Sequence, residues 1–202
     1  MTPSEAATRP RVEGDRELQI LEATLEVLAD VGYDRLTMDA VATRAKASKA
    51  TLYRRWTNKV SLVIDALLVQ KAAPLLPDTG SLRGDLLDAF CGFGGIMDEQ
   101  AVATLSSVLT AITRDEEFAT AFRTRVIGPK MAVSQAIYQR AVARGEVRAD
   151  LDITLFGPAL AGILLHRAYL LGEAPSRELI ARVIDQIIVP AATAPNTKET
   201  HG

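Results

Sequence analysis

The stretch KASKATLYRRWTNK, residues 46–59, interleaves Lys46, Lys49, Arg54, Arg55 and Lys59 with Tyr53 and Trp56 and holds no carboxylate. Widened to residues 41–60 it gains Arg44 and still contains no Asp or Glu, although the 202-residue chain has a formal net charge of −2. Residues 15–39, just upstream, are rich in acids. For a phosphate partner the local field matters more than the chain average. A run of charge alone marks only a solvated face in most chains, so the surrounding pattern has to decide.

That pattern is helical. Leu18, Leu21, Leu25 and Leu28 share a stripe that Ile20, Val27 and Val31 widen. Residues 15–31 therefore read as a helix packed on more than one side, with Gly32 as its stop. Thr37 is placed to cap a short helix to about Ala45, with Met38, Val41 and Ala42 inward. Ser48 caps a second short helix to about Arg55, which Leu52 and Trp56 anchor. Asn58 or Thr57 caps a longer one that runs to the Pro74/Pro77 break. Two short helices a few residues apart have the order of a helix-turn-helix, whose second helix enters the major groove. Such short helices are marginal alone, and the helix over residues 15–31 serves as their platform.

Helical periodicity continues to about residue 189, with caps at Ser81, Asp115, Asp152 and Ser176 and a bend expected at Gly128-Pro129. No β-type alternation persists, so the expected class is all-α. Nearly half of the residues are apolar, 48%, which suits a folded globule. The single Cys91 excludes an internal disulfide framework and a thiol-built zinc site. The polar start MTPSEAATRPRVEGD lacks the apolar core of a signal peptide. The longest apolar run, FGPALAGILL, is too short to span a bilayer. A soluble cytoplasmic protein is expected, with no membrane, metal or cofactor. Gly92, Gly94 and Gly95 follow a helical stretch rather than a strand and fit no nucleotide fingerprint.

Residues 16–62 resemble the DNA-binding domain of the TetR family of bacterial transcriptional repressors. The likeness is carried by ILEATLEVLADVGYDRLTMDAVATRAKASKATLYRRWTNKVSL, residues 20–62. It includes the small-Gly-aromatic turn Val31-Gly32-Tyr33, the helix-opening Thr37, the S-x-x-T-L-Y run of Ser48, Thr51, Leu52 and Tyr53, then Trp56 and Lys59. Lys46 stands where the family often has Gly, at a cost of roughly 1 kcal/mol if its φ is positive. Ala50, Arg55, Trp56 and Val60 also depart from the usual residues. LRGDLLDAF and RAVARGEVRADLD resemble one group of TetR C-terminal domains. The resemblance implies a flexible arm over 1–14, a helix-turn-helix domain over 15–60, a ligand-binding and dimerisation domain over 61–190, and a flexible tail over 191–202. It also implies a homodimer, a double-stranded operator and a small-molecule effector.

The candidate DNA contacts are Thr37, Arg44, Lys46, Ser48, Lys49, Ala50, Thr51, Tyr53, Arg54 and Lys59. Lys49 suits a base edge, since an ammonium donates to guanine O6 and N7. Lys59 opposes its own helix dipole, which suggests a phosphate partner. Arg9 and Arg11 on the arm suit the minor groove. Phe90, Phe93, Met97, Leu105, Phe122, His166 and Tyr169 combine aromatic bulk with few polar groups and are the expected lining of an apolar ligand pocket. Leu155, Ala159, Gly162 and Ile163, with Ile180, Val183, Ile184 and Ile187, are the expected dimer interface. Two other readings stand beside the regulator. One is a helical enzyme using Cys91 or His166, for which no orienting third group is apparent. The other is a helical adaptor whose basic segment binds protein.

Overall fold

The computed structural model describes residues 9–69, 76–92 and 99–194. Among these the chain is all-helical, and it packs as two compact units. The first comprises residues 1–72 and 99–126, the second residues 73–98 and 127–202. The packing units therefore do not follow the division at residue 60, because residues 99–126 join the N-terminal helices.

In the first unit α1 spans Arg9–Arg35, with a break at Gly32, whose φ of 77° and ψ of 166° interrupt the helical backbone. The stop expected there is thus a kink from which the chain resumes one more turn. Then come α2 (Met38–Arg44), α3 (Lys49–Arg55) and α4 (Lys59–Val69). Asn58 caps α4, its Oδ1 accepting from the Ser61 N–H at 2.9 Å. Val60, Leu62, Val63, Ile64, Ala66 and Leu67 are all buried, so α4 runs through the middle of the unit. α6 (Glu99–Arg114) packs along α1, and α7 (Glu116–Phe122) packs against α4. Val108, Ala111, Phe118 and Phe122 share one core with Leu28, Val41, Leu52 and Trp56.

Two ties fix α7 to the N-terminal helices. The Tyr33 hydroxyl donates to Asp115 Oδ2 at 2.8 Å, and Asn58 Nδ2 donates to Glu117 Oε1 at 2.8 Å. Asp115 also caps α7 by accepting from the Phe118 N–H. Burial, followed by the Asp115 carboxylate, pushes the Tyr33 phenol well above its ordinary range.

The second unit holds α5 (Leu82–Gly92), α8 (Gly128–Ala143), α9 (Ile153–Leu170), α10 (Arg177–Val183) and α11 (Val189–Thr193). Its core includes Leu82, Leu86, Ile137, Tyr138, Leu160, Leu164, Ile180 and Ile184. Asp85 is fully buried beneath it. The Thr79 N–H and hydroxyl donate to its Oδ1 at 2.6 and 2.8 Å, while Arg140 and Arg144 approach Oδ2 at 3.3 and 3.4 Å.

Two π-turns, Arg123–Ile127 and Ile184–Ile188, precede α8 and α11. Each lies just before a proline, Pro129 or Pro190. A proline ring collides with the carbonyl four residues back and offers no N–H, and a wider turn relieves both. The bend expected at Gly128-Pro129 is this π-turn, placed slightly earlier. The last helical stretch expected to end near Val189 continues to Thr193 for the same reason.

α9 is long and apolar enough to cross a membrane by length and composition, with 18 residues and a mean hydropathy of 1.3. That exceeds the short run seen in the sequence. Only 17% of it is buried. It carries Arg167, ion-paired with Glu173, and leaves Leu155, Leu165 and Leu170 exposed.

Candidate nucleic-acid interface

The interface is built from caps and a turn. Thr37 Oγ1 accepts from the Ala40 N–H at 3.1 Å and opens α2. α2 closes with Ala47 N–H donating to Ala42 O at 2.8 Å and Lys46 N–H to Thr43 O at 3.1 Å. This is the paired bonding of a Schellman turn, and its left-handed position is Lys46, at φ 50°. Arg16 Nη2 donates to the Lys46 carbonyl and ties the turn to α1. Ser48 Oγ then accepts from the Thr51 N–H at 3.1 Å and opens α3.

α3 is held from beneath. Leu52 is completely buried, and Trp56 is buried with its Nε1 donating to Asp65 Oδ2 at 2.9 Å. This leaves Lys49, Ala50, Tyr53 and Arg54 exposed, with Thr51 half-buried. Tyr53 is 54% exposed, unusual for an aromatic residue that only covers its own helix. Thr37, Arg44, Lys46 and Ser48 are also exposed, so eight of the ten expected contacts lie open around α2 and α3.

Three cations of the region are neutralised within the chain. Arg44 pairs with Glu26 at 3.1 Å and Asp30 at 2.8 Å, and Arg55 pairs with Glu17 at 3.0 Å. Lys49 Nζ donates to Asp39 Oδ2 at 2.6 Å. The Asp39 carboxylate holds the Lys49 ammonium above its ordinary range, and Asp30 followed by Glu26 does the same for Arg44. Lys59, an expected phosphate contact, also has partners within the chain. It is half-buried, donates to the Tyr33 carbonyl at 3.1 Å and lies 3.9 Å from the Tyr33 ring centroid. The carbonyl and the ring face answer its charge where the helix dipole does not. The side chains of Arg9 and Arg11 lie outside the described residues.

The expected ligand-pocket residues fall in both units. Phe122 belongs to the core of the first unit, with Leu105 packed against it, while Phe90, His166 and Tyr169 lie in the second. Phe93 and Met97 lie outside the described residues. His166 is exposed on α9, and burial pushes the Cys91 thiol up, against a nucleophilic role. A concavity of about 390 Å³ is lined by Val31, Gly32, Tyr33, Arg35, Ser107 and Thr110, among others, and by none of the seven.

The expected dimer residues divide. Leu155, Gly162 and Ile187 are exposed, and Ala159 and Ile163 are half-buried. Ile180, Val183 and Ile184 are at most 5% exposed and belong to the second unit's own core. Their stripe closes the fold, which corrects their assignment to an interface. The sequence reading also passed over Asp39, whose only signal was its place in the acidic stretch upstream.

Comparison with known proteins agrees with this geometry. The family described as "Bacterial regulatory proteins, tetR family" matches residues 20–66, and "Tetracyclin repressor-like, C-terminal domain" matches residues 76–187. The uncharacterized HTH-type transcriptional regulator Rv1556 of Mycobacterium tuberculosis is 35% identical over 192 residues, 92% of each chain. The DNA-binding transcriptional repressor TetR of Mycobacteroides abscessus is 36% identical over 180 residues, covering 86% of this chain and 92% of the relative. The crystal structure of the TetR family transcription regulator SCO0332 superposes with a TM-score of 0.63 at 26% identity, covering 90% of this chain and 100% of that one. The chain belongs to the TetR family of bacterial regulators, DNA-binding transcription factors rather than enzymes, and α2 and α3 are its helix-turn-helix.

Proposed function

We propose that this regulator is a cytoplasmic repressor that binds a near-palindromic operator as a homodimer and leaves it when a small apolar effector binds. The observation that carries the reading is the exposed side of α3. Tyr53 and Arg54 stand open there, while Leu52 and Trp56 pin the helix from below. A helix fixed on one side with hydrogen-bonding groups free on the other suits insertion into a groove. A repressor is also what the Mycobacteroides abscessus relative is named.

Residues 15–60 are assigned to DNA and residues 61–190 to the effector and the partner copy, while α1 begins at Arg9 and α11 ends at Thr193, so helix extends into both expected flexible ends. Leu155, Leu165 and Leu170 on α9, with Ile187, give that copy an apolar surface. Gly162 permits close approach of a second helix. The effector is assigned to residues 81–171, with the aromatic side chains named above as its candidate lining.

The test is a gel shift with the duplex upstream of the chain's own gene, against a scrambled duplex of equal composition. Saturable retention of the first at a protein concentration that leaves the second free is expected. Equal retention of both, falling together with salt, would reduce the interaction to non-specific phosphate binding.

A further inference from the structure

Asp39 lies in the first turn of α2 and its carboxylate is held 2.6 Å from the Lys49 ammonium. The two side chains are 57% and 63% exposed. An ion pair so open to water contributes little to folding. It is also poorly placed for a polyanionic partner, because a carboxylate beside the recognition helix repels phosphate. The partners of Arg44 and Arg55 lie on α1, whereas that of Lys49 lies on α2. Lys49 is the first residue of α3. In helix-turn-helix docking the first residues of the second helix meet base edges. The carboxylate held 2.6 Å from that ammonium would be carried toward the same base edges when the helix docks.

Bases offer such a pair what phosphates do not. Cytosine presents its N4 amino group, which a carboxylate accepts, and guanine presents O6 and N7, to which an ammonium donates. On a non-specific duplex Lys49 can turn to a phosphate only by leaving Asp39 unpaired in the field of the backbone. On a site with cytosine and guanine in reach, both charges stay satisfied. Building in such a repulsion is a recognised route to discrimination.

We propose that Asp39 and Lys49 read the operator as one unit, with Asp39 selecting cytosine through its N4 amino group and lowering affinity for every duplex that lacks this donor. The proposal rests on the DNA-binding reading above and assigns a specificity determinant within it.

The experiment is selection of the full-length protein, Asp39→Ala and Asp39→Asn against a random-sequence duplex pool, with sequencing of the bound fraction. Melting temperatures confirm that the variants are folded. The wild type is expected to select cytosine at one position of its motif and at its symmetry mate. Asp39→Ala should lose about tenfold of that preference, leave the other positions unchanged, and hold the unselected pool several-fold more tightly. Asp39→Asn should move the preference toward adenine, whose N6 and N7 match an amide. A purely structural role for Asp39 moves neither quantity. If the wild type enriches no motif, the DNA-binding reading fails. If it enriches one that both variants reproduce, with unchanged affinity for the unselected pool, the reading stands and the inference is overturned.

Discussion

Lys46 and Gly145 occupy the same position in two Schellman turns, at φ 50° and φ 74°. Glycine adopts that conformation freely and lysine does not, so the turn into the recognition helix is the strained one. Lys46→Gly should stabilise the protein by about 0.5 kcal/mol, since relief of the left-handed strain is partly offset by added freedom in the unfolded chain. If Lys46 also meets a phosphate, the same change makes the logarithmic salt dependence of DNA binding shallower by about 0.9. Denaturant melts and salt titrations separate the two effects, and a destabilised variant contradicts the strain argument. Lys59 gives the complementary case. Its bond to the Tyr33 carbonyl and its place over the Tyr33 ring predict a loss of about 1 kcal/mol for Lys59→Ala with no DNA present. Unchanged stability would return Lys59 to a role at the phosphates alone.

At the scale of elements, the anchor of α5 and α8 is the buried carboxylate of Asp85. Burial pushes its pKa up, but the Thr79 N–H and hydroxyl, then Arg140 and Arg144, outweigh it and hold the group below its ordinary value. Its folded-state pKa thus lies below the unfolded one. The stabilisation is complete above the unfolded value, near pH 4, and is lost as pH falls through the folded value. Asp85→Asn should cost about 3 kcal/mol at neutral pH and flatten this acid limb. Denaturant titrations between pH 2 and pH 7 would expose an unchanged acid limb in the variant, which would remove Asp85 from the account.

The starts of these elements were legible because a cap and its apolar period are local. Thr37, Ser48, Asp115, Asp152 and Ser176 each accept from an N–H two or three residues on, in the register the sequence suggests. The π-turns were not legible, because periodicity shows where a helix runs and not how it makes room for Pro129 or Pro190. The stripe of Ile180, Val183 and Ile184 was plain in the sequence, but an apolar stripe does not say which surface covers it. The aromatic set proposed for a pocket was divided by packing between helices far apart in the chain. Within the DNA-binding surface, the exposed residues of α3 followed from Leu52 and Trp56. The partners of Lys49 and Lys59 did not, since both are set by neighbours distant in sequence.

For the whole molecule, the exposed leucines of α9 distinguish association from folding. Leu155→Glu with Leu170→Glu should yield a folded monomer by sedimentation, with operator affinity reduced at least tenfold through loss of the second half-site. Ile184→Glu should instead unfold the second unit, because it places a charge in that unit's core. A double variant that stays dimeric would move the interface away from α9. The packing of residues 99–126 against the first four helices bears on how such regulators exchange parts. A recombination event that joins a foreign effector domain after residue 72 would strip Val108, Ala111, Phe118 and Phe122 from the core shared with Leu28 and Val41. The DNA-binding half would be inherited with an uncovered apolar face and without the Tyr33–Asp115 tie. A viable crossover has to keep residues 1–72 and 99–126 from one parent, so a chimera cut once should melt without cooperativity while one cut on both sides of residues 99–126 melts sharply.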